Sequence, residues 1–209
     1  PRDITQYSDT ITAAQYQQLN NAAIEPNAIL NTFINANTTN SYGAEFTLQY
    51  KVGENFEITP TVNLQYRTVS AKVSSINLTN KGFNWQSKLM SSYKIQNNKK
   101  PIFNNLSFQF IADYESPRVI PQGKRLAEFD VDLAIKKEFL KNKKASITFA
   151  VNDVFNSNRW GAIYDTEQFY QDAYRRWNVR NFRLSFSYKF GDAKFSLIKG
   201  NSRRGDNDD

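Results

Sequence analysis

The chain has 209 residues, of which 40% are hydrophobic and 14% aromatic, and it carries a net charge of +7 with no cysteine and no histidine. Without cysteine it has neither disulfides nor thiolate metal sites, and without histidine it lacks the commonest general base and metal ligand. We therefore expect no catalytic residues, no metal site and no cofactor. No apolar run approaches the roughly 18 residues of a membrane-spanning helix.

The positive charge lies largely in lysine clusters, namely Lys99-Lys100, Lys136-Lys137 and Lys141 to Lys144. Each cluster adjoins a predicted turn, and no basic run interleaved with aromatic residues forms the continuous patch typical of nucleic-acid binding. We expect no nucleic-acid partner and interpret the clusters as solvated surface.

The chain begins with a polar, irregular segment. A short helix is predicted within Thr10 to Ile24, with Thr12 as its N-cap and Pro26 beyond its end. A single long strand from Leu30 to Val52 follows and leads into a tight turn.

Six further runs alternate polar and apolar residues with period two, which predicts strands. The first, Phe56 to Arg67, contains Pro60, which lacks a donor for the ladder and predicts a bulge. The other five predicted strands are Phe83 to Ile95, Leu106 to Glu115, Ala127 to Lys136, Ala145 to Asn152 and Phe182 to Phe190.

The connections between these strands alternate in length. Short turns follow Val52, Ile95 and Phe139, whereas longer loops cover residues 70–81, 116–123 and 156–174. In an up-and-down antiparallel sheet every second connection lies at the same end, so the short turns share one rim. Outer-membrane β-barrels have this asymmetry, with short periplasmic turns and long extracellular loops.

The alternation also assigns each side chain to a face. Three successive acids on one face would be costly in lipid or in a dry core, but not in a water-filled lumen. The predicted lumen-facing residues are Glu45, Glu57, Arg67, Lys88, Asp113, Glu128, Asp130, Asp132, Arg183 and Lys189. The predicted lipid-facing residues are Phe108, Phe110, Phe129, Val131, Leu133, Ile147, Phe149, Leu184, Phe186 and Tyr188. A soluble sheet with one wet face would alternate in the same way and is the rival interpretation.

Several short motifs in the chain resemble those of a known protein family. They are Ser41 to Glu45, Gln122-Gly123, Asp132 to Lys137, Asn152 to Asn156 and the closing run Phe182 to Gly191. In order and spacing they resemble the C-terminal part of the barrel of TonB-dependent outer-membrane receptors and their β-barrel relatives. One departure is the stretch that follows the closing run, since many such barrels end on the terminal aromatic residue.

The resemblance implies an all-β, transmembrane, antiparallel up-and-down barrel of about 22 strands with a plug in its lumen. Of these the chain would supply the last seven or eight, as a fragment. Residues 1–27 would be an extracellular loop with the end of a preceding strand and a short helix. Residues 28–191 would be barrel strands, and residues 192–209 a flexible periplasmic tail. The expected location is the outer membrane of a Gram-negative bacterium, with the long loops extracellular.

The resemblance further implies import of a scarce ligand, powered from the inner membrane. The implied partners are outer-membrane lipid, the rest of the barrel and its plug, a periplasmic energy-coupling protein acting through the plug, and, as an additional candidate, a surface lipoprotein. By residue type, the predicted ligand-binding loop residues are Arg118, Arg159, Trp160, Tyr164, Phe169 and Tyr170. Packing of loop against loop is the alternative role for each of them.

Other functions remain open at this point. The barrel could be a non-transporting structural or docking subunit of an outer-membrane complex, or a small adhesion barrel of eight strands. A soluble carbohydrate-binding sheet is a further alternative. An enzyme is the least favoured reading, because no nucleophile stands with a base and no glycine loop suits a phosphate.

Overall fold

The computed structural model describes residues 4–19, 28–35, 38–73, 76–96, 99–176 and 179–190. Strands dominate this part of the chain. In chain order the elements are β1 (Ile4–Thr10), α1 (Ala13–Leu19), β2 (Ile29–Asn35), β3 (Thr38–Thr47), β4 (Tyr50–Val52), β5 (Phe56–Ser70), β6 (Lys72–Val73), β7 (Ile76–Asn77), β8 (Asn80–Ile95), β9 (Leu106–Glu115), β10 (Arg118–Ile120), β11 (Gly123–Arg125), β12 (Glu128–Phe139), a 3-10 helix (Lys141–Lys143), β13 (Ala145–Asn152), β14 (Trp160–Asp165), β15 (Tyr170–Arg175) and β16 (Asn181–Tyr188).

The largest sheet, which we call the wall, is an antiparallel meander. Its strands lie side by side in the order β3, β5, β8, β9, β12, β13 and β16, and β4 continues β3 along β5. Among the described residues the wall is an open sheet, since its two outer strands do not pair with each other. The prediction of an all-β antiparallel meander is therefore confirmed, whereas a closed barrel is not formed by this part of the chain.

The register of the wall separates polar from apolar side chains across all its strands. Directly opposite residues share a face, and one row runs from Asp130 through Asp113 and Lys88 to Thr61. The next row runs through Val131, Ala112, Leu89 and Pro60. We call the two sides of the wall the polar face and the apolar face.

Pro60 interrupts one ladder of the wall without shifting its register. The N–H of Leu48 donates to the carbonyl oxygen of Pro60 at 3.1 Å. Proline has no N–H to return, so β3 and β4 are separated at residues 48–49. Thr47 pairs with Thr61 and Tyr50 with Ile58, which is the same register on both sides. The predicted bulge was wrong, because a missing donor breaks the ladder without adding a residue.

The predicted long strand from Leu30 to Val52 was likewise wrong as a single element. Its first part, β2, pairs with β1 in a separate two-stranded sheet, and only β3 and β4 join the wall. Residues 36–37 lie outside the described part of the chain.

The helix α1 is shorter than predicted but begins where Thr12 predicts. The N–H of Gln15 donates to Thr12 Oγ1 at 3.3 Å, and the N–H of Thr12 donates to Gln15 Oε1 at 3.0 Å, which is a capping box. Residues 20–27, including the predicted stop at Pro26, lie outside the described part of the chain. No helix among the described residues is long and apolar enough to cross a membrane.

The two ends of the wall carry different connections, as the alternation of lengths predicts. We call one end the short-turn rim, which comprises residues 53–55, 96–105 and 140–144. The other end is the long-loop rim, which comprises residues 71–79, 116–127 and 153–180. The segments 70–81, 116–123 and 156–174 were predicted as loops, but all three contain strands. In the first, β6 pairs with β7. In the other two, β10, β11, β14 and β15 form a four-stranded sheet, which we call the outer sheet.

Candidate functional site at the long-loop rim

The hairpin of β10 and β11 folds over the polar face of the wall. Gly82 lies opposite Arg67 on that face, and a Cβ atom added to Gly82 would lie only 2.7 Å from Cγ1 of Val119 in β10. The side-chain amide of Asn80 donates to the carbonyl oxygens of Ile120 at 2.9 Å and Gly123 at 3.0 Å. The polar face is thus covered at this end by loop backbone that is fixed to the first residue of β8.

Glycine is required where β11 meets β14. Gly123 has a φ of +151°, and a Cβ atom there would clash with the carbonyl oxygen of Ile163. The N–H of Asp165 donates to the carbonyl oxygen of Gln122 at 2.9 Å, which extends the same pairing by one residue. The Gln122-Gly123 motif of the sequence is therefore the point that joins the first long loop to the second.

One side of the outer sheet, which we call the arginine face, combines cations with aromatic rings. Arg118 lies opposite Arg125, and Arg125 lies opposite Ala162 in β14, so Trp160 and Tyr164 share their face. The guanidinium of Arg125 lies 4.7 Å from the centre of the Trp160 ring, within the range of a cation–π contact. Arg118 forms an ion pair of 3.6 Å with Glu115 at the end of β9, so the arginine face continues the polar face of the wall.

Burial changes the electrostatics of the arginine face. Desolvation, and then the positive charge of Arg118, lower the pKa of Arg125. Desolvation also raises the pKa of Tyr164, whose residue is only 9% exposed. Glu128 and Glu115 act on the pKa of Arg125 in the opposite direction, so these carboxylates already offset part of the positive charge of the arginine face.

The opposite side of the outer sheet borders a cavity of about 510 Å³. That volume lies within the range usual for small-molecule sites. Val119 and Ile163 supply apolar lining, while Lys124, Asp165 and Tyr170 supply polar groups. Tyr170 is 66% exposed, so its ring is available at the mouth of the cavity.

The structure places four of the six predicted ligand residues on these two sides and the other two beside the outer sheet. Arg118, Trp160 and Tyr164 meet on the arginine face, whereas Tyr170 lines the cavity. Arg159 stands just before β14 with its guanidinium 5.7 Å from the centre of the Tyr174 ring. Phe169 closes a tight turn, since its N–H donates to Thr166 Oγ1 at 3.1 Å.

Sequence reasoning missed Arg125, Lys124 and Asp165. Arg125 and Lys124 directly follow the Gln122-Gly123 motif, and that motif was the available signal. Their roles depend on the pairing of β11 with β14, which joins segments that lie about 40 residues apart in the chain.

Acids dominate the polar face of the wall just below the outer sheet. Glu128 lies opposite Glu115 and Asp130 lies opposite Asp113. Lys88 offsets one of these charges through an ion pair of 3.1 Å with Asp113.

The other predicted lumen residues are spread along the wall, and those within its strands lie on the polar face. Asp132 also lies beneath the outer sheet, where its carboxylate accepts a hydrogen bond of 2.9 Å from the N–H of Asp153. Glu45 accepts a hydrogen bond from Asn63 at 3.3 Å, and Arg183 lies opposite Ala150. Glu57 lies 3.8 Å from Lys51 near the short-turn rim, and Lys189 directly follows β16 there.

The Asn152 to Asn156 motif ends β13 and turns the chain into the second long loop. Asp153, with a φ of 51°, accepts hydrogen bonds from the N–H groups of Ser157 at 2.8 Å and Asn158 at 3.1 Å. Ser157 Oγ in turn donates to the carbonyl oxygen of Phe129 at 2.7 Å. The motif therefore has a structural role, because it fixes the base of the second loop to β12.

The predicted lipid-facing residues all lie on the apolar face, where Phe186 is 66% exposed. Val131 differs from the others because it is buried, with only 5% of its surface exposed. It lies where β13 ends, and its carbonyl oxygen accepts a hydrogen bond of 2.8 Å from the N–H of Val154. Large exposed apolar surfaces are unusual on soluble monomers, so this face needs an apolar environment or a partner.

Comparison with known protein families gives one match, to the outer membrane protein β-barrel family, over residues 4–188. No curated protein and no solved structure matches the chain. The family match includes the wall and the outer sheet, and an amphipathic antiparallel meander is the architecture that such a family requires. The outer membrane is accordingly the location that the family indicates. The chain belongs to the outer membrane protein β-barrel family.

Proposed function

We propose that the chain forms part of the wall and the ligand entrance of an outer-membrane receptor. This receptor is of the TonB-dependent kind and imports a scarce ligand. The observation that carries this proposal is the hairpin of β10 and β11 folded over the polar face. In a barrel the polar face lines the lumen, so such a hairpin narrows the opening and presents its side chains to an incoming solute. That arrangement suits a receptor that selects its cargo.

The orientation in the membrane follows from the same reasoning. The apolar face meets lipid, the polar face meets the lumen, and the long-loop rim is extracellular while the short-turn rim is periplasmic. The expected partners are further strands of the same barrel, a plug, a periplasmic coupling protein and a surface lipoprotein. The outer strands of the wall, β3 and β16, each have an edge that pairs with no described wall strand. These unpaired edges support pairing with further strands of the same barrel.

The arginine face and the cavity are the two surfaces on which a ligand is expected to bind. Arg125, held against the Trp160 ring, offers a directed cation at the lumen side. Lys124 and Tyr170 offer polar groups on the other side of the same sheet. A ligand that bridges the hairpin would use both surfaces.

The experiment compares a gene deletion with point variants in the native host, grown in defined media that limit iron, carbon or nitrogen in turn. Deletion is expected to slow growth under at least one limitation. Arg125→Ala and Trp160→Ala should then lower uptake of that nutrient roughly tenfold at unchanged surface abundance. Arg176→Ala, an exposed arginine just beyond β15, serves as the matched control and should leave uptake unchanged.

Growth that is unaffected by the deletion in every medium would contradict the import function. Stable co-purification of the protein with another outer-membrane protein, under those same conditions, would instead support the docking subunit. Equal loss in the control variant would show that the arginine face has no special role.

A further inference from the structure

The short-turn rim concentrates the positive charge of the chain. Neighbouring strand ends are linked there by backbone hydrogen bonds, as from the N–H of Lys94 to the carbonyl oxygen of Asn55 at 2.8 Å. Together with the adjoining strand ends, its described lysines are Lys51, Lys94, Lys99, Lys100, Lys136, Lys137, Lys141, Lys143, Lys144 and Lys189, whereas the described acids of the same region are Glu54, Glu57 and Glu138. The connections of the long-loop rim also have more arginines and lysines than acids, but the strand ends beside them add Glu115, Glu128 and Asp130 to the balance.

The connection of β12 to β13 combines this charge with apolar side chains. Leu140, with a φ of 65°, is 59% exposed, and the lysines Lys141, Lys143 and Lys144 follow it. The carbonyl oxygen of Lys144 accepts a hydrogen bond of 2.8 Å from the N–H of Lys189, which brings the end of β16 alongside. Next to Lys189 stands Phe190, which is 88% exposed. We call the set Leu140, Lys141, Lys143, Lys144, Lys189 and Phe190 the turn cluster.

A second turn on this rim repeats the combination. Ile102, in the connection of β8 to β9, is 74% exposed, and Phe103 beside it is also exposed. This turn is held rigidly, because Lys137 Nζ donates to the carbonyl oxygen of Pro101 at 2.7 Å and also to that of Asn104. The turn therefore presents its apolar side chains in a fixed position.

Two of the three acids of the rim form their ion pairs with lysines outside the turn cluster, although Glu138 also interacts electrostatically with Lys143. Glu138 pairs with Lys136 at 3.3 Å and with Lys94 at 3.8 Å, and Glu57 pairs with Lys51 at 3.8 Å. No lysine of the turn cluster forms an ion pair with any residue that the structure describes. The cluster therefore retains its positive charge next to exposed leucine and phenylalanine.

From this combination we infer that the short-turn rim binds the headgroups of anionic phospholipids, such as phosphatidylglycerol. The apolar face ends at this rim, so its lysines stand at the level of the lipid headgroups. There the apolar side chains enter the acyl boundary while the lysine ammonium groups contact phosphate. Turns that were merely solvated would explain the lysines but not the exposed Leu140, Ile102 and Phe190.

The inference does not depend on import, and it is tested with the full protein reconstituted in phosphatidylcholine bilayers. Spin-labelled phosphatidylglycerol and spin-labelled phosphatidylcholine are added separately, and electron spin resonance gives the association of each lipid with the protein. We expect roughly fivefold stronger association of phosphatidylglycerol, which is about the effect of one lysine close to an anionic lipid. At 1 M salt the preference should fall to about one, because the screening length is then only about 3 Å.

The variant Lys141→Gln/Lys143→Gln/Lys144→Gln is expected to lose the preference. The matched control, Lys81→Gln/Arg176→Gln/Arg180→Gln, removes three exposed cations in and beside the opposite rim and should retain it. A wild-type protein without preference, an equal loss in the control, or a preference insensitive to salt would each overturn the inference. The salt dependence of the wild type keeps the test valid if the triple variant does not fold.

Discussion

The two rims of the wall are built in opposite ways. At the long-loop rim, loop strands fold over the polar face and bury groups such as Val69, Asn84 and Gln122. At the short-turn rim the connections are minimal, and Ile102 and Phe190 are left exposed among lysines. The same seven-strand meander thus carries a covered end, where cations lie beside the acids Glu115, Glu128 and Asp130, and an uncovered end where lysines dominate.

This difference teaches where specificity and anchoring can reside in such a wall. A covered polar face requires long connections with their own pairing, and these create enclosed surfaces of the kind that a selective binding site needs. An uncovered rim of short turns encloses no cavity, so its side chains interact only with the lipid or solvent around the sheet. Substitutions in the wall, and then in each rim, test this contrast.

The largest effect is expected from a charge on the apolar face. That face lies between the two rims and is expected to meet lipid, where a charge is costly. Leu184→Arg should destabilise the protein in bilayers by about 2–4 kcal/mol, the usual cost near the middle of the hydrocarbon. Urea titration of folding into vesicles measures this change. Ser185→Arg, on the adjacent polar face, is the control and should cost less than about 1 kcal/mol. Equal costs would mean that the two faces meet the same solvent.

Breaking the covered rim alone should have the next largest effect. Gly123→Ala forces a side chain into a positive φ and against the carbonyl oxygen of Ile163, at about 2–3 kcal/mol. Hydrogen exchange should then speed up in β11 and β14 while β12 stays protected. Gly53→Ala at the short-turn rim, with a φ of +62° and open space around it, should cost only about 1 kcal/mol. An unchanged outer sheet in Gly123→Ala would contradict the coupling of the two long loops.

The base of the second long loop sharpens the same comparison. Asp153→Ala removes the acceptor for the N–H groups of Ser157 and Asn158, which should cost about 1–2 kcal/mol. Limited proteolysis should cut residues 153–160 faster. Asp172→Ala, an exposed aspartate in β15, is the control and should leave the cleavage rate unchanged. The reverse order of sensitivity would show that the motif does not fix the loop.

The smallest effect is expected from the ion pair of Lys88 with Asp113. Both side chains are more than a third exposed, so solvent screens the 3.1 Å contact. Lys88→Gln should change the free energy of unfolding by less than about 1 kcal/mol. A larger loss, measured by the same urea titration, would mean that the polar face is drier than an open lumen.

The wall could be predicted from sequence because its signal is local. Period-two alternation in runs such as Phe182 to Phe190 assigns both strand and face without knowledge of the partners. The alternation of short and long connections then gives the order of strands. Pro60 shows the limit of the method, since a missing donor predicts a disturbed ladder but not whether a residue is added.

The outer sheet could not be predicted from sequence in the same way. Its strands β10 and β11 have three residues each, which is too few to show an alternation of polar and apolar residues. Their pairing with β14 joins distant parts of the chain, so the arginine face arises only in three dimensions. Residue type identified Trp160 and Tyr164 as candidates, but Arg125 became one only through its contact with the Trp160 ring.

The central claim is that the apolar face of the wall meets lipid and the polar face meets water. The chain has no cysteine, so single cysteines in β16 can be labelled with a fluorophore in the protein reconstituted in bilayers. We predict strong quenching by brominated lipids at every second residue of the strand and weak quenching at the residues between them. The strongly quenched positions should be Phe182, Leu184 and Phe186, and the weakly quenched positions Arg183, Ser185 and Ser187. Equal quenching of both sets, or the reverse alternation, would contradict the account.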